Sequence, residues 1–74
     1  MINPIGGDTL TLEIKAILKA NPDGATIEQV LGEIEWLGGY MGYLAIGLEL
    51  ANLVLNDFVE LDTSRGVFVW IGGE

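Results

Sequence analysis

The sequence predicts an α+β fold, three helices followed by a two-stranded β-hairpin, in a single compact domain. Three observations carry that expectation. Apolar residues recur at helical spacing as far as Asn56, and beyond it the pattern changes to short alternating or β-branched and aromatic runs. Turn-forming clusters, Asn21-Pro22-Asp23-Gly24, Gly38-Gly39 and Thr63-Ser64-Arg65-Gly66, punctuate the pattern. With 74 residues, half of them hydrophobic, the chain has material for one core and no second.

Taken in order, Met1–Gly7 reads as a flexible arm containing Pro4 and Gly6-Gly7. Asp8 and Thr9 are expected to cap the first helix, whose buried face is Leu10, Ile14, Ile17 and Leu18 and which ends near Ala20. The turn at Asn21–Gly24 follows, because proline disfavours helix in the residue before it and Gly24 suits a positive φ. Thr26-Ile27-Glu28-Gln29 has the form of a capping box, opening a second helix that buries Ile27, Val30, Leu31 and Ile34. Trp36–Gly42, with three glycines, is expected to be a linker in which Trp36 and Tyr40 cover the core or its rim.

The third helix is expected over Tyr43–Asn56. Its apolar residues fall into two stripes, Leu44, Leu48, Ala51, Leu55 and Ile46, Leu50, Leu53, which together cover most of its circumference. Such a helix packs on more than one neighbour or leaves a stripe for a partner. Phe58–Asp62 and Val67–Ile71 are the hairpin strands, with Val59 and Leu61 facing the helices, Glu60 and Asp62 facing out, and Gly66 closing the turn. Residues 72–74 are left as a flexible tail.

This order, with Ile14-x-x-Ile17-Leu18, Ala25-Thr26-Ile27-Glu28-Gln29-Val30, and Leu50-x-x-Leu53 followed by Phe58-Val59, resembles a winged helix-turn-helix domain over Leu10 to Ile71. Where such domains commonly carry glycine before the wing, this chain has Asn56-Asp57, the next most tolerant of the left-handed conformation. The resemblance implies a third helix that enters the major groove, a wing that touches phosphates, and a DNA-binding regulator.

Charge opposes that implication. Eleven acidic residues face three basic ones, Lys15, Lys19 and Arg65, for a net charge of -8. A DNA binder that neutralises roughly six to ten phosphates cannot be assembled from them. The outward positions expected for the third helix, Ala45, Glu49, Asn52 and Asn56, hold no cation. Catalysis is not expected either: there is no His and no Cys, and Ser64 has no base near it in sequence. No cofactor loop or metal-binding spacing is present, since Gly38-Gly39-x-x-Gly42 follows a helix and lacks the lysine of a phosphate loop. Trp36–Asn56 is long enough to span a bilayer, but Glu49 within it and acidic residues at both flanks favour a core helix and no membrane. The lack of cysteine suits a reducing cytoplasm.

A non-catalytic binding module is what remains. The first reading places Glu28, Glu33, Glu35, Glu49, Glu60 and Asp62 on a negative surface that docks on a basic protein groove, such as that of a nucleic-acid-binding effector complex. In size, charge and lack of catalytic residues the chain resembles the small acidic inhibitors of phages and mobile elements, anti-CRISPR proteins that mimic DNA among them. The alternative is an adaptor or regulator, monomer or homodimer, that uses Ile46, Leu50 and Leu53 as an apolar interface. A plainer reading, an acidic coat that keeps an apolar domain in solution, stands beside both.

Overall fold

The computed structural model describes residues 7–72, with side chains from Thr9 onward. Three helices, α1 (Gly7–Ala20), α2 (Ile27–Glu33) and α3 (Gly39–Leu55), precede the strands β1 (Val59–Asp62) and β2 (Val67–Trp70). Apart from Gly7, the predicted arm lies outside the described residues, as do Gly73 and Glu74 of the tail. Asp8 and Thr9 stand inside the first turn of α1 and not at its cap.

The core is one cluster drawn from the three helices, Ala25 and β1, with Phe68 and Trp70 of β2 packed against it. Leu10, Ile14 and Leu18 of α1, Ala25, Val30 and Ile34 from the α2 region, Ile46, Leu50 and Leu53 of α3, and Val59 of β1 are buried, while Ile17, Ile27 and Leu31 pack partly exposed at its edge. Local chemistry sets the joints. Asn21 closes α1 by donating its side-chain amide to the Ile17 carbonyl at 2.7 Å, and the Gly24 amide donates to the Asn21 carbonyl at 2.8 Å to complete the turn. Gly24 has φ +102°, and a Cβ there would lie 2.7 Å from Val67 Cγ2, so the position demands glycine twice over. The capping box forms as expected: Gln29 N–H donates to Thr26 Oγ1 at 3.0 Å, and Thr26 N–H donates to Gln29 Oε1 at 2.9 Å.

α3 begins four residues earlier than expected, with Gly38 as its N-cap. Gly42 is therefore not a linker residue. It is buried in α3, where a Cβ would stand 3.1 Å from Leu37 Cγ and 3.2 Å from Leu31 Cδ1; its small size lets the helix settle onto α2. At the other end Asp57 takes φ +65°, with Asp57 N–H donating to the Val54 carbonyl and Phe58 N–H to the Leu53 carbonyl. These two bonds form a Schellman motif with aspartate in the left-handed seat usually held by glycine.

The hairpin pairs Val59 with Trp70, Glu60 with Val69, Leu61 with Phe68 and Asp62 with Val67, and Gly66 closes it at φ +70°. Val59 is buried as expected, but Leu61 lies beyond the edge of the core and is exposed. Ala25 adds a third lane that the sequence did not announce, exchanging hydrogen bonds of 3.0 and 2.8 Å with Phe68 on the free side of β2. This ties the start of α2 to the hairpin. Gly72, assigned to the tail, sits against the Phe58 and Trp70 rings.

Candidate interaction surface on the third helix

With 17 residues at about 100° each, α3 turns one side to the core and the opposite side to solvent. Gly42, Ile46, Leu50 and Leu53 are the buried side. Opposite them lie Tyr40, Met41, Leu44, Leu48, Ala51 and Leu55, all exposed; Leu48 keeps 66% of its surface in water and Leu55 80%. The helix is thus rotated by about one residue, roughly 100°, from the expected phase. Ile46, Leu50 and Leu53, expected as a partner interface, are internal, and the other stripe faces out. Ala45 and Glu49, expected outward, are half-buried at the helix's flank; Asn52 and Asn56 are exposed, with the Asn56 side-chain amide donating to the Asn52 carbonyl at 2.8 Å.

Exposed apolar area of this kind is more than scattered single side chains. Tyr40 stands with the stripe at 74% exposure and does not cover the core. Trp36, half exposed, bridges α1 and the end of α2 by donating its indole N–H to Glu13 Oε2 at 2.8 Å.

The six carboxylates expected on one negative surface divide into two groups. Glu49 Oε1 accepts a hydrogen bond from Thr11 Oγ1 at 2.7 Å, joining α3 to α1. Asp62 holds the hairpin turn: its Oδ1 accepts from the Ser64 hydroxyl at 2.7 Å, and its Oδ2 from Arg65 Nε at 2.8 Å. The Arg65 hydrogen bond, then that from Ser64, lowers the Asp62 pKa from 3.8 to about 2. Glu28, Glu33, Glu35 and Glu60 are exposed and make no ion pair among the described residues. They are spread over the first turn of α2, its last turn, the turn after it, and β1.

All three cations are occupied. Arg65 is bound to Asp62. Phe58 and Trp70 stack with centroids 5.8 Å apart, and Lys15 and Lys19 of α1 hang over them, Lys15 Nζ 5.2 Å from Phe58 and Lys19 Nζ 5.2 Å from Trp70. The lysines thus pack α1 against the hairpin and lie on none of the exposed positions of α3. Among the described residues no three His, Cys, Asp or Glu side chains gather to hold a metal ion, and no helix is long and apolar enough to cross a membrane. Comparison with protein-family models, with curated proteins and with solved structures finds no match.

Proposed function

We propose that this chain is a non-catalytic protein-binding module on a winged-helix scaffold, and that the outward face of α3 is its grip. The observation that carries this reading is the composition of that face: Tyr40, Met41, Leu44, Leu48 and Leu55 stand exposed with no basic side chain among them. A helix meant for a DNA groove displays cations and hydrogen-bond donors there. Large apolar and aromatic side chains are the anchors of protein interfaces.

The acidic-inhibitor reading is a second, narrower proposal. It is favoured by Glu28, Glu33, Glu35 and Glu60, which are exposed and make no ion pair among the described residues of a chain of net charge -8. On that reading these four, without Glu49 and Asp62, face the basic groove of a nucleic-acid-binding partner.

Two variants separate the readings in a pull-down of polypeptides retained by the tagged chain. L44E/L48E abolishes retention if α3 is the grip and leaves it intact if the carboxylates are. E28K/E33K/E35K does the reverse, and under the acidic reading retention also falls steeply with salt. Duplex DNA bound more tightly than about 1 µM at physiological salt, beyond the ordinary non-specific range, overturns both.

A further inference from the structure

We infer that the occupant of the α3 face is a second copy of this chain, paired through α3 in antiparallel fashion about a two-fold axis at Leu48. This deepens the reading of α3 as the gripping face and rests on it. The exposed residues Met41, Leu44, Leu48, Ala51 and Leu55 are spaced three, four, three and four apart, the apolar repeat of helices that pair side by side. The repeat runs nearly the full length of the helix, about 25 Å for its 17 residues. The residues midway between its turns, Ile46 and Leu53, point into the protein's own core, so the seam is aimed squarely away from the domain that carries it.

Charge selects the occupant. In paired helices the positions flanking the seam set partner choice through their charges. Here those positions are Tyr40, Ala45, Gly47, Asn52 and Val54, and none is charged. The single charged residue of α3, Glu49, is half-buried and turned to Thr11. A basic helix laid on this seam finds no carboxylate at the flanking positions of α3. A second α3 finds an uncharged surface like its own, on a chain whose net charge of -8 otherwise resists self-association. Gly47 adds room: a Cβ there would meet nothing within 4 Å, so no internal packing requires glycine at this helical position.

The antiparallel sense follows from side-chain size. With Leu48 against its own copy, Ala51 faces Leu44 of the other helix and Leu55 faces Met41, so small meets large and large meets flexible. The parallel sense sets Ala51 against Ala51 and leaves a gap at that layer.

Sedimentation equilibrium tests the pairing and cysteine cross-linking tests its sense. The wild-type chain is expected at twice its 7.9 kDa mass at high protein concentration, and added salt tightens the pair by screening like charges. L48E weakens self-association by at least about 30-fold, the loss expected for a central anchor. Because the chain has no cysteine, M41C mixed with L55C reports the geometry alone: the mixed disulfide forms faster than either like pair. A monomer at about 1 mM overturns the inference, as do like-pair cross-links that outrun the mixed one. If such a monomer also fails to bind duplex, the pairing fails while the protein-binding reading stands; duplex binding defeats that reading whatever the mass.

Discussion

Leu48 and Leu50 are two residues apart on one helix, and truncating them to alanine should have very different consequences. Leu50 is fully buried in the cluster that joins all the elements, so Leu50→Ala removes its transfer free energy and leaves a cavity, costing about 2–5 kcal/mol. Leu48 keeps 66% of its surface exposed, so only about a third of the roughly 1.5–3 kcal/mol available to a buried leucine is at stake, about 0.5–1 kcal/mol. A 74-residue domain is stable by about 4–11 kcal/mol, so the first change removes a large share and the second a small one. Urea unfolding at low micromolar protein, where self-association does not contribute, reads the difference directly. With a slope near 1 kcal/mol/M, Leu50→Ala shifts the midpoint by about 2 M or more and Leu48→Ala by less than about 1 M. If Leu48→Ala is the more damaging, α3 has the opposite phase and its outward apolar face does not exist.

Three further outcomes follow from the joints of the fold. Gly24→Ala combines a positive φ with a clash against Val67 and should cost about 2–4 kcal/mol in denaturant unfolding, whereas an unchanged midpoint would mean that the turn is built differently. Asp57→Gly relieves a left-handed aspartate and an acidic charge at a helix C-terminus; offset by greater freedom in the unfolded chain, the expected gain is about 1 kcal/mol, and any loss of stability counts against the Schellman geometry. Asp62 has a depressed folded pKa of about 2, so its contribution is complete above its ordinary 3.8 and disappears as the pH falls through about 2. Thermal melts of Asp62→Asn should therefore fall below wild type at neutral pH and converge with it near that acidic limit; a gap that persists there removes Asp62 as the cause.

Features written in short stretches of chain are legible in the sequence itself. The capping box needs only Thr26 and Gln29 three residues apart, the hairpin turn needs Gly66, and the left-handed tolerance of the Asn56-Asp57 pair could be read from residue type. The order of elements followed from the change of period. What the sequence could not decide was the phase of α3, because both stripes are apolar and the choice is made by α1, α2 and β1 together. Gly42 misled for a related reason: a glycine needed for close approach to Leu31 and Leu37 looks in sequence like a turn residue. Ala25 joins the sheet through one bridge, which leaves no alternating pattern to find. Candidate carboxylates could be counted but not sorted; Thr11 and Ser64, which engage Glu49 and Asp62, carry no signal that marks them as partners.

The claim that α3 pairs with a second copy of this chain through its outer side can be read from methyl resonances followed through a dilution series. Leu44, Leu48 and Leu55 are expected to shift with concentration, while Ile46, Leu50 and Leu53, sealed in the core, hold still. Resonances of Leu44, Leu48 and Leu55 that stay fixed across the series would contradict it.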